Sequence, residues 1–113
     1  MKIIRDTITE KELNEMSQIW HGEFVKAVVD VDRKIMAVDG DLHADEEQIL
    51  LTDGSAQEHL WGINIYPNKK GEDHIEFDSM INVRPSQGNT SRSVENMDLQ
   101  HAIRTIVEGM IVA

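Results

Sequence analysis

The chain has 113 residues, no cysteine, and 21 Asp and Glu against 11 Lys and Arg, a formal charge of −10. That size builds one domain, 1–113, around one core, and the missing cysteines exclude disulfides, thiolate metal sites and a cysteine nucleophile. The acidic field repels phosphate backbones and anionic lipid, so nucleic acid is not an expected partner, and no apolar run approaches the roughly 20 residues of a bilayer span or a secretory leader.

Lys2 to Arg5 reads as a short strand, and Thr9 with Glu12 three residues on forms a capping box that opens a helix. Leu13, Met16, Ile19 and Trp20 recur at helical spacing and are expected in the core, with Gly22 as the stop. Phe24 to Val31 and Ile35 to Val38 form a hairpin about Asp32-Arg33-Lys34, apolar towards both faces and so central in a sheet. A second helix is expected over His43 to Leu51, its early acids favouring the N-terminus, and Asp53-Gly54-Ser55 ends it.

Leu60 to Tyr66 and His74 to Arg84 read as the next hairpin. Alternation puts Trp61, Ile63, Ile65, Ile75, Phe77, Ser79, Ile81 and Val83 on one face and Asn64, Glu76, Asp78, Asn82 and Arg84 on the other, polar, face. A loop follows, and Asn96 caps a last helix with the stripe Leu99, Ile103, Ile106, Val107 and Met110. The expected class is α+β, an antiparallel sheet of four or five strands with two or three helices packed mainly on one face. Trp20, Trp61, Phe24 and Phe77 are expected in the core.

Three strings, Gly40 to Glu47 (GDLHADEE), Leu60 to Pro67 (LWGINIYP) and Ile75 to Pro85 (IEFDSMINVRP) with Gln87-Gly88-Asn89, together resemble a family of small bacterial and archaeal proteins classified only as a domain of unknown function. The resemblance spans about residues 24 to 95. It implies a short stand-alone prokaryotic protein and carries no catalytic role to any position.

Three surfaces offer chemistry. Asp39, Asp41, His43, Asp45, Glu46 and Glu47 supply oxygens and an imidazole that suit a hard cation, with His43, Asp45 and Glu47 as the candidate ligands. Ala44 and Leu50 stand where a calcium loop needs Gly and Glu, however, so a solvated helix start is expected and neither metal nor cofactor. On the polar face of the second hairpin, pairing Tyr66 with His74 would set Asn64 opposite Glu76 and Gly62 opposite Asp78. Glu76 and Asp78 are then the candidate acid and base.

The third surface is the loop from Arg84 to Ser93. Residues 79–94 hold no acid and two arginines, so Arg84, Gln87, Gly88, Asn89, Ser91 and Arg92, joined by Asn64 and Asn82, form the candidate site for a small anion or protein partner. These features describe a cytoplasmic, non-enzymatic binding module. The alternative is an enzyme acting on a phosphorylated or carboxylated small molecule, and a sheet edge leaves room for a homodimer.

Overall fold

The first helix starts where the Thr9 and Glu12 spacing predicts. In the computed structural model, which describes residues 1–113, Thr9 Oγ1 accepts the Glu12 N–H at 3.1 Å while Glu12 Oε1 accepts the Thr9 N–H at 3.4 Å. Strands β1 (Lys2–Ile4) and β2 (Ile8–Thr9) precede this helix, α1 (Glu10–Met16). The chain then tightens into a 3-10 turn over Ser17–Trp20 and is halted by His21 and Gly22, at φ 59 and 75. Three residues per turn no longer follow the α-helical stripe. Ile19, expected in the core, is therefore 57% exposed, and Trp20 is only half-buried.

Strands β3 (Val25–Asp30) and β4 (Ile35–Val38) form the predicted hairpin, with Asp30 Oδ1 accepting the turn N–H groups of Asp32 and Arg33, each at 2.9 Å. Helix α2 (His43–Thr52) follows, then β5 (Leu60–Ile65), β6 (Ile75–Glu76), α3 (Met97–Met110) and β7 (Ile111–Val112). The sheet is antiparallel in the order β1-β4-β3-β5-β6, and β2 pairs in parallel with β7 apart from it. This is the expected α+β class. No helix is long and apolar enough to cross a membrane.

Alternation divides the core in two. Val25, Ala27, Val29, Trp61, Ile63 and Ile65 face Leu13 of α1 and Ile103, Val107 and Met110 of α3. On the other face Val28, Ile35, Ala37 and Leu60 pack under Leu50 of α2. Two helices thus share one face and the third covers half of the other.

The second hairpin keeps the expected register, Asn64 opposite Glu76 with the Tyr66 N–H bonded to the His74 carbonyl, but its return strand ends at Glu76. From Phe77 the chain turns across the α2 side of the sheet and presses Ser79 onto Gly62, where a Cβ would lie 2.5 Å from the Ser79 Cβ. The alternation expected over 77–84 therefore fails: Asn82 and Arg84 are buried, Val83 is 38% exposed, and Ile81 packs with the α2 cluster.

Candidate functional site

Arg84, expected as an open fork, points inward. Its Nε donates to the Ile81 carbonyl at 2.9 Å, Nη1 to the Gln57 carbonyl at 2.7 Å and to Gln87 Oε1 at 3.1 Å, and Nη2 to the Leu60 carbonyl. The guanidinium also lies 4.3 Å from the centre of the Trp61 ring. Burial lowers its pKa, and the nearby Glu47 carboxylate acts in the opposite direction. A cation so enclosed ties the 57–60 and 81–87 segments together, and each of its three nitrogens already donates within the fold.

The rest of the loop is likewise built around its own partners. Gly88 turns at φ 76, Arg84 and Asn89 exchange backbone hydrogen bonds, and Gln87 Nε2 donates to the Glu58 carbonyl at 3.0 Å. The buried Asn89 amide donates to the carbonyls of Asn82 and Ser93, each at 2.7 Å. The loop does contain an anion nest, and the anion in it is Glu95. The N–H groups of Thr90 and Ser91 each lie 2.8 Å from Glu95 Oε2, and the Ser91 hydroxyl lies 2.9 Å from it. Those donors, the Ser91 hydroxyl foremost, lower the Glu95 pKa. Arg92 is 56% exposed at its side chain and pairs with Asp78, Nε to Oδ1 at 2.7 Å.

The acidic stretch does not converge either: no group of three or more His, Asp or Glu side chains is placed to hold a metal ion. Asp45 lines a hollow of about 520 Å³ with Asp39, Asp41 and Met1, Glu47 has one buried oxygen without a partner, and His43 turns to the sheet. His43 Nε2 sits 2.7 Å from the Ile63 carbonyl. A carbonyl only accepts, so the imidazole proton is on Nε2. Burial lowers the His43 pKa, which favours that neutral ring. It makes no hydrogen bond to a hydroxyl, and no nucleophile is paired with it.

What the fold does assemble is the half of the second sheet face that α2 leaves open. Lys26, Asn64 and Glu76 stand in one row across β3, β5 and β6. Asn64 Nδ2 donates to Glu76 Oε1 at 2.8 Å, and the Tyr66 hydroxyl donates to the same oxygen at 3.1 Å. Burial and this hydrogen bond both raise the Tyr66 pKa. Lys26 Nζ donates to the Asp41 carbonyl at 3.0 Å and lies 4.7 Å from the centre of the Trp20 ring.

Beside that row, Trp20 stacks on Phe24 with ring centres 5.3 Å apart and Phe24 meets Tyr66 at a 38° tilt with centres 5.6 Å apart, all three half-buried. Lys69 Nζ lies over the Tyr66 ring at 4.6 Å. Trp20 and Phe24 are thus surface platforms and not the core residues expected. For Phe24 the signal in the sequence is parity, since Phe24 and Lys26 fall on one side of the extended chain, as do Asn64 and Tyr66. Of the expected site residues, Glu76 is exposed on this surface, Asn64 is buried beneath it at 8% exposure, and Asp78 and Arg92 form an ion pair just beyond the end of β6. Asn82, Arg84, Gln87, Gly88, Asn89 and Ser91 are spent within the scaffold.

A family model described as "Protein of unknown function (DUF5674)" matches residues 2–110. No curated protein and no solved structure matches the chain.

Proposed function

The chain belongs to the DUF5674 family, and because that description assigns no activity we propose, from its own side chains, that it is a binding module receiving a protein partner on the open half of the sheet face. The observation that carries this reading is the half-buried run Trp20, Phe24 and Tyr66 beside the row Lys26, Asn64 and Glu76. Aromatic rings with a polar surround are the composition of interface centres. The side chains are also held in advance: Glu76 is fixed by two donors and Tyr66 by its hydroxyl and its neighbours, so little rotamer freedom remains to be lost on binding.

Against catalysis, Glu76 and Asp78 are both held by hydrogen-bond donors of the fold, and His43 faces a carbonyl. In this reading the loop from Arg84 to Ser93 is the support of the face, with Arg92 the member open to a partner at its rim. Cysteine-free composition favours a cytoplasmic setting. The test is affinity capture followed by reconstitution with the purified partner. Tyr66→Ala should weaken that complex by about tenfold or more while the far-ultraviolet spectrum is unchanged. Equal affinity of wild type and variant would reject the face.

A further inference from the structure

Tyr66 stands between two adjoining hollows. One, of about 320 Å³, is lined by Gly22, Glu23, Tyr66, Asn68 and Lys69. The other, of about 270 Å³, includes Glu72, Asp73 and Glu76 together with Tyr66 and Lys69. Glu23, Glu72, Asp73 and Glu76 therefore surround one aromatic ring, and none of the four is in an ion pair; the five pairs of the chain all lie elsewhere. The single cation in both hollows is Lys69, 4.6 Å above the ring.

We infer that the face takes an arginine-bearing segment of its protein partner, whose guanidinium replaces Lys69 over Tyr66 between those carboxylates. This rests on the docking reading above and adds the chemistry of the partner. An aromatic face attracts cations through its quadrupole, and a planar guanidinium stacks there while its edge N–H groups reach carboxylates on either side. The ammonium of Lys69 makes only the first of these interactions. It makes no ion pair within the chain, so it is an occupant that a better-matched cation displaces. The charge of −10 on the whole chain draws a basic segment in, and the carboxylates around Tyr66, none of which has a cationic partner in an ion pair, give it a place to settle.

The experiment titrates the full chain with a hexa-arginine peptide, followed by backbone amide shifts, with hexa-glutamate as control. Saturable shifts at Glu23, Tyr66, Asn68 and Glu76, weakened several-fold by Tyr66→Ala, are expected. Lys69→Ala should tighten binding several-fold more than Lys70→Ala, which removes the same charge one residue further along. Equal tightening by the two variants, or shifts centred on the hollow at Asp39 and Asp45, would overturn the inference. Neither result would touch the docking reading, which is decided by the Tyr66→Ala effect on the purified natural partner.

Discussion

The carboxamide of Asn82 takes the place of a strand against Gly62. Its Oδ1 accepts the Gly62 N–H at 2.8 Å, and its Nδ2 donates to the Gly62 carbonyl at 2.9 Å. A side-chain amide has the same donor and acceptor as a peptide group, so β5 keeps its backbone satisfied after the return strand has left it. The same Nδ2 reaches the Arg92 carbonyl at 2.9 Å and fastens the loop.

Asn82→Ala leaves these buried backbone groups without partners, at a cost of about 3 kcal/mol. Urea unfolding should show the loss as a lower midpoint with an unchanged slope. Gly62→Ala should destabilise too, because its methyl meets Ser79, and Gly62→Ala with Ser79→Gly should recover part of the loss. A double variant no better than Gly62→Ala alone would show that Ser79 is not the obstacle.

Arg84→Lys keeps the charge and loses the fork that serves three carbonyls and the Trp61 ring. We expect a loss of about 2 kcal/mol or more, read by thermal unfolding, with partner affinity unchanged below the transition. Weaker binding by a fully stable Arg84→Lys would return Arg84 to the binding surface.

Much of the fold was legible because it follows local rules. The Thr9 and Glu12 box, the doubly apolar hairpin, the capped stripe of α3 and the register of Asn64 against Glu76 all rest on spacing. What was not legible depended on tertiary competition. Residues 77–84 alternate well enough for a strand, yet the Ser79 and Gly62 contact and the Asn82 amide outweigh continued pairing. Arg84 looked free because its partners, the carbonyls of Gln57, Leu60 and Ile81, have no side-chain signal. The acid-free run pointed to the whole loop from Arg84 to Ser93 as an anion site, and the anion that the Thr90 and Ser91 donors hold, Glu95, lies just beyond that run. Ring size alone would put Trp20 and Phe24 in the core, whereas the 3-10 turn brings Trp20 to the open face.

Glu46 is fully buried beneath Gly40, accepting the Gly40 N–H at 3.0 Å through Oε2, with Oε1 unpartnered. Burial pushes its pKa from an ordinary 4.5 up to about 9. Below the lower value both folded and unfolded chains hold the proton and the group costs nothing. As pH rises the unfolded chain ionises and the folded one does not, so stability falls through this window and levels off above the upper value. By pH 7 the loss is about 3 kcal/mol. Glu46→Gln should gain on wild type as pH rises, measured by denaturant midpoints from about pH 4 to 9. Parallel pH profiles for the two proteins would contradict this.

Glu95 runs the other way. Its folded pKa is lowered, chiefly by the Ser91 hydroxyl, so its contribution is present above the ordinary carboxylate range and is lost as pH falls through the lowered value. Glu95→Ala should release the Thr90 and Ser91 amides, seen as faster hydrogen exchange confined to that loop. Acidification of wild type should do the same after correction for intrinsic exchange. Unchanged protection in the variant would remove Glu95 from the nest.

Cross-saturation from the purified partner to the deuterated full chain measures directly where the partner docks. Saturation is expected at the Trp20 indole N–H, the Asn64 side-chain amide, and the Tyr66 and Glu76 backbone amides, with Gly88 and Asn89 unaffected. A footprint centred on the loop from Arg84 to Ser93, or on the hollow at Asp39 and Asp45, would contradict the open sheet face as the binding surface.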